Sequence, residues 1–243
     1  MAIKFGKVNL LGGCLVVSSI LTPALATGFY IGAGGGYNIG SSSITSDLSQ
    51  VVGKGANKRN DLAIKGFQGS LYTGWGLPFY SNKFYSGVEI SADLSATKGT
   101  ETHPFGVDIA NHVQNSNLSL KHRYGASIFM KNGVFIGNKK LLYMKIGVTS
   151  ASWSINSTTD FVNNNSRIVS QSKNKTSHLM GIKGAIGVQI GLTQDIDIGL
   201  EWDYSVYERL KLTQHSAAGL NQAISHKVNP RLGSILITIS KIF

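Results

Sequence analysis

The stretch "DIDIGLEWDYSVY", residues 195–207, carries Asp195, Asp197, Glu201 and Asp203 at odd positions and Ile196, Ile198, Leu200, Trp202 and Tyr204 at even ones. A period of two marks a β-strand, because successive side chains point to opposite faces. One face of this strand is oily and the other acidic. What lies against each face decides the fold.

The same rhythm recurs along the chain. Strands are expected over 28–39, 64–76, 83–96, 117–130, 141–151, 178–191, 196–209 and 228–243. In 83–96, Phe84, Val88, Ile90, Ala92 and Leu94 alternate with Tyr85, Gly87, Glu89, Ser91 and Asp93. In 117–130, Leu118, Leu120, Tyr124, Ala126, Ile128 and Met130 oppose Lys121, Arg123, Gly125 and Ser127. The connections alternate in length. Short ones fall at 77–82, 131–140 and 192–195, and long polar ones at about 40–63, 97–116, 152–177 and 210–227.

The N-terminus supplies a compartment. Lys4 and Lys7 precede "LLGGCLVVSSIL" and then "TPALAT", the basic, apolar and small-residue regions of a secretory signal peptide cut after Ala26. The chain then divides into a leader, 1–26, and one domain, 27–243. "LGGC" also matches a lipoprotein cleavage box, but that cut would leave "LVVSSIL" exposed, so Cys14 is placed inside the discarded leader. Cys14 is the only cysteine, so the domain has neither a disulfide nor a thiol site. No later stretch is apolar for the 18 or more residues of a membrane helix.

Only 14% of residues are charged, low for a water-soluble domain. An exported chain with eight alternating strands and alternating long and short connections meets the requirements of an antiparallel transmembrane β-barrel. In hydrocarbon every backbone polar group must be paired, so the sheet needs to close. An even strand number returns both termini to the periplasmic side and places four long loops outside. The fold class is thus all-β, an eight-stranded barrel in the outer membrane.

With the oily face toward lipid, the other face lines the lumen. It carries Glu89, Asp93, Lys121, Arg123, Lys145, Lys183, Asp197, Glu201 and Asp203. An eight-stranded lumen is just wide enough for side chains. Charges there are costly unless paired, so a salt-bridge network between adjacent strands is expected. His122 and His178 fall on the lipid-facing parity, which does not suit them. None of His103, His112, His122, His178, His215 and His226 is spaced as a metal motif, and no nucleophile elbow is visible. "GAGGGYNIG" lacks the ending of a phosphate-binding loop and reads as barrel wall. No catalysis, metal or cofactor is expected.

On "ATGFYIGAGGGYNIG" after the leader, the strand rhythm and the terminal "ILITISKIF", residues 27–243 resemble the small eight-stranded outer-membrane barrels of the opacity-protein and OmpA-like membrane-domain superfamily. The resemblance implies a barrel-assembly signal at Ile235, Ile237, Ile239 and Phe243, read by the assembly machinery, with Lys241 departing from the usual apolar occupant. It also implies a cell-surface role, in envelope integrity or adhesion and host-factor binding through external loops. Basic patches at Lys54, Lys58, Arg59, Arg167, Lys173 and Lys175 are expected to meet lipopolysaccharide phosphates or an anionic host ligand. Dispersed bases without a binding fold exclude nucleic acid. A narrow porin-like channel and a lipid-modifying enzyme or lipid-binding carrier remain as alternatives.

Overall fold

The computed structural model describes residues 28–47, 57–80, 83–104, 113–137, 139–162, 168–215 and 223–243. The expected leader, 1–26, lies outside them. Every described element is a β-strand: β1 (Gly28–Asp47), β2 (Asn57–Phe79), β3 (Phe84–Pro104), β4 (Val113–Phe135), β5 (Lys140–Val162), β6 (Ile168–Gly191), β7 (Ile196–Tyr207), β8 (Leu210–His215) and β9 (Ala223–Ile242). All pairings are antiparallel, in the order β1-β2-β3-β4-β5-β6-β7-β9-β8, and β1 also pairs with β9. The ladder from Tyr30↔Ile242 to Asp47↔Ser225 therefore returns the sheet to its first strand.

The described strands number nine, where eight were expected. The ninth arises because β7 and β8 share one flank of β9. Ile196–Val206 lies against Arg231–Lys241 and Leu210–His215 against Ala223–Val228, with a break at Glu208 and Arg209. β8 was expected as part of a long loop.

The same correction applies around the sheet. Much of 40–63, 97–116, 152–177 and 210–227 is strand, not loop. The strands run on because alternation continues with its polarity reversed. At the end bearing the short turns, here the lower end, Ile90, Ile128, Met144, Ile182, Leu200 and Ile237 point outward and the charges inward. Toward the upper end, Lys65, Lys98, Lys121, Asn156 and Asn174 are outside. Ile44, Leu62, Ile64, Leu118, Leu120, Trp153, Ile155, Leu210 and Leu212 form a buried apolar cluster inside. Each such side chain contributes roughly 1.5–3 kcal/mol by leaving water, so the upper half has a core of its own.

Two of the short turns are tighter than expected, since β2 runs to Phe79 before β3 begins at Phe84 and β4 to Phe135 before β5 begins at Lys140; the third, 192–195, falls where it was expected. Gly137 takes φ 67°, the left-handed conformation that glycine adopts without steric cost.

Two stretches of wall lack a ladder among the described residues: β2 pairs with β3 only from Lys65 to Phe79, leaving Asn57–Ile64 without a ladder to β3, and the other lies beside β8. β6 pairs with β7 only between Gly181 and Gly191, and among the described residues no ladder joins its upper half to β8. Side chains bridge the seam instead. Lys173 Nζ donates to the Thr213 carbonyl (2.7 Å), Lys175 Nζ to the Lys211 carbonyl (2.9 Å) and Gln214 Nε2 to the Gln171 carbonyl (2.9 Å).

Candidate functional site: the interior charge layer

The lower interior is a compact set of ion pairs. Lys145, on β5, stands between two carboxylates, 2.6 Å from Glu89 Oε1 of β3 and 2.6 Å from Glu201 Oε2 of β7. The remaining capacity of these carboxylates is met by phenols: Tyr30 donates to Glu89 Oε2 at 2.9 Å and Tyr143 to Glu201 Oε2 at 2.8 Å. Both rings fit because glycines sit opposite them. A Cβ at Gly74 would strike Tyr30 and one at Gly187 would strike Tyr143. A second group sits one layer up, where Lys183 of β6 lies 3.2 Å from Asp203 and 3.8 Å from Asp93.

The six charged residues of these two groups, and the expected Asp197, are all buried. The pairing differs from the expected one in a particular way. Lys145 links strands that are not neighbours, and Lys183 reaches Asp93 across the interior. The interior is narrow enough for opposite walls to meet, so pairing is not confined to adjacent strands.

Lys121 and Arg123 are misplaced by the sequence reading: both side chains are exposed on the outer wall. The cause is a bulge. Against β5, the register of β4 shifts between His122 and Tyr124, so Arg123 is an extra residue and the faces exchange there. Below the bulge odd residues Gly125, Ser127, Phe129 and Lys131 point inward, and above it even residues His122, Leu120 and Leu118 do. His122 is therefore interior, its ring 4.9 Å from that of Trp153 and 6.4 Å from that of Tyr207. His178 stays outside, 5.8 Å from the Tyr124 ring.

The base that the sequence reading missed is Lys131. It is buried, 3.0 Å from Gln189 Oε1, 3.9 Å from Glu89 Oε2 and 4.3 Å from the centre of the Tyr143 ring. Gln189 Nε2 passes the contact on to Asp197 Oδ2 at 2.6 Å. Following the luminal parity from Ser127 two more steps would have reached Lys131. It falls instead in the stretch expected as a connection, 131–140, of which β4 takes residues up to Phe135.

Above the charges lies the apolar cluster, and above that a polar layer. There His226 is held between Ser46 Oγ (2.9 Å from Nδ1) and Ser157 Oγ (3.3 Å from Nε2). The cavity left between Glu89, Asp93, Lys145, Lys183, Glu201 and Asp203 measures about 20 Å³, room for a single water. No cluster of three or more His, Cys, Asp or Glu suited to a metal occurs among the described residues.

The other expected sites are placed as follows. Lys54 and Arg167 lie outside the described residues. Lys58 and Arg59 are strand residues of β2, paired with Ser46 and Thr45. Lys173 and Lys175 are also strand residues and close the seam described above. Ile235, Ile237 and Ile239 point outward from β9, and Phe243 lies beyond its end with its ring 6.0 Å from that of Phe29.

No family model and no curated protein sequence matches the chain. Solved structures do. The outer membrane protein OprG from Pseudomonas aeruginosa is 15% identical with a TM-score of 0.58, over 91% of this chain and 100% of that one. Neisserial surface protein A is 13% identical with a TM-score of 0.39, over 89% and 98%. Ail, the attachment invasion locus protein of Yersinia pestis, is 13% identical with a TM-score of 0.29, over 86% and 99%. The likeness to OprG is one of fold: an all-β, antiparallel, barrel-like sheet of the outer-membrane kind.

Proposed function

We propose that the chain is a cell-surface barrel of the outer membrane, with a sealed interior and a collar that stands above the lipid. Its wall is an eight-membered circuit in which β7 and β8 act as one interrupted strand, and its lower end, with both termini, faces the periplasm. The observation that carries this reading is the reversal of polarity along the strands. An oily outer band over buried ion pairs suits hydrocarbon, and a polar outer wall over an oily core suits water. The collar, rich in Ser, Thr, Asn and Lys, is the surface available to host factors, and the lower band contributes to envelope integrity. The leader would export the chain, and Ile235, Ile237, Ile239 and Phe243 would present it to the assembly machinery.

The charged layer is read as packing rather than as a catalytic site. Lys145 and Lys183 each sit between two carboxylates, and the cavity among them has no room for a substrate. A conducting pore is the competing reading, and single-channel recording would reveal it. The deciding experiment is electrophoresis of the protein purified from membranes, boiled and unboiled, beside membrane fractionation. A boiling-dependent shift with outer-membrane fractionation is expected. A soluble protein without a shift would overturn the reading.

A further inference from the structure

The outer wall carries a juxtaposition that folding alone does not favour. By register Lys65 of β2 lies opposite Lys98 of β3, and Lys98 lies opposite Lys121 of β4. All three side chains are exposed on the outer face. Like charges directly opposite on neighbouring strands destabilise a sheet. Arg123, set outward by the bulge, adds a fourth positive charge just below the row.

Lys98, Lys121 and Arg123 line one groove of about 240 Å³, and no carboxylate shares it. Its other walls are hydroxyls and amides, including Ser119, Asn156 and Asn174. Ser119 Oγ is shielded from solvent and has no hydrogen-bond partner. The amide oxygens of Asn156 and Asn174 are taken up by Ser172 (3.1 Å) and Ser154 (3.0 Å), which leaves their NH2 groups to donate. The groove is a set of cations, hydroxyls and amides without a carboxylate.

Its height names the ligand. Directly below the bases, on the same outer face, are Phe67, Leu94 and Tyr124, the last apolar residues of the oily band. Bases seated on an apolar rim meet a lipid at the level of its headgroup. We propose that this groove binds the phosphate of an outer-leaflet glycolipid, with Lys98, Lys121 and Arg123 holding the phosphate, Ser119 and the two amides completing its hydrogen bonds, and the acyl chains lying on Leu94 and Phe67. Arginine suits this role because its planar fork matches phosphate oxygens in pairs. The inference rests on the membrane reading above and adds a ligand and a site to it.

The test compares protein purified from membranes, wild type and K98Q/K121Q/R123Q, by native mass spectrometry with bis-phosphorylated lipid A. Dephosphorylated lipid A and a sulfated heparin oligosaccharide serve as the other probes. A second variant, K211Q/K227Q, is the control, since Lys211 and Lys227 also face each other on the outer wall but are not part of this groove. Binding of the phosphorylated lipid is expected to weaken at least about tenfold in the triple variant, on losing three charged hydrogen-bond donors. The control variant should bind like wild type, and wild type should bind the dephosphorylated lipid no better than the triple variant does.

Undiminished binding by K98Q/K121Q/R123Q would overturn the site. An equal loss in K211Q/K227Q would reduce it to diffuse surface charge, and tighter binding of the oligosaccharide than of lipid A would overturn the lipid as its ligand. K121Q alone, which removes the middle of the row, is read in the same titration should the triple variant fail to fold. The boiling shift is recorded for every protein. A wild type without the shift defeats the membrane reading, whereas a shifting triple variant with full affinity defeats the groove alone.

Discussion

Lys145 shows how tightly the interior is specified at single positions. It holds Glu89 and Glu201 together at 2.6 Å each, and all three side chains are buried. Removing one partner of a buried ion pair costs about 3–5 kcal/mol, because the charge left behind has neither water nor a counter-ion. Lys145→Ala is therefore expected to lower stability by that amount, measured by urea unfolding of the refolded protein in detergent. Glu89→Gln/Lys145→Met/Glu201→Gln, which removes all three charges, should recover most of the loss. Lys121→Ala, by contrast, should change stability by less than about 0.5 kcal/mol, since its side chain is outside. Equal losses for Lys145→Ala and Lys121→Ala would contradict the placement of the two lysines. Alternation alone put Glu89, Asp93, Lys145, Lys183, Asp197, Glu201 and Asp203 on the face that turns inward. It failed at Lys121 and Arg123 because a bulge is one extra residue, and nothing in "KHRYG" distinguishes it from continuous strand.

At the scale of elements, the bulge in β4 and the seam beside β8 are both departures from an even ladder. The bulge is what turns Leu118 and Leu120 inward above Gly125. Deleting Arg123 would return them to the outer face and Lys121 to the interior, so the deletion should abolish the boiling shift, while Arg123→Ala should keep it. A deletion variant that still shifted would show that β4 can re-register without loss. The seam makes a separate demand. Among the described residues β8 has a ladder only to β9, and two of its carbonyls, of Lys211 and Thr213, are satisfied by Lys175 and Lys173. Local opening is governed by such contacts, so Lys173→Ala/Lys175→Ala should speed amide exchange in Leu210–His215 and leave β4 unchanged. Unchanged exchange in β8 would mean that the two lysines only decorate the wall. Neither feature could be read from residue types. β8 lies in a stretch whose outward face, Lys211 and Thr213, is polar, and the sequence reading ended strands where the outward face stopped being oily.

Over the whole molecule, one chain builds two sheets' worth of patterning end to end. The lower half buries charge and presents oil, the upper half buries oil and presents charge, and ladders join each strand to the next from β1 to β6, that between β2 and β3 ending at Lys65↔Lys98. Sequence periodicity showed the lower half because its two faces contrast along each strand. The upper half has the same contrast with the faces exchanged, and this reads as a loop unless inside and outside are already known. The three tryptophans of the chain sample this arrangement. Trp75 and Trp202 are each 50% exposed on the outer wall of the lower half, whereas Trp153 is 0% exposed, in the apolar interior of the upper half. If the lower band lies in lipid, brominated acyl chains should quench the fluorescence of Trp75 and Trp202 in reconstituted vesicles and spare Trp153. Variants keeping one tryptophan each, the others replaced by Phe, separate the three signals. A water-soluble quencher should also leave Trp153 unquenched, since a packed core and not the membrane shields it. Quenching of Trp153 by brominated lipid would place the upper half in the bilayer. Protection of Trp75 and Trp202 from lipid would remove the membrane from the outer band, and the polarity reversal would then need another explanation.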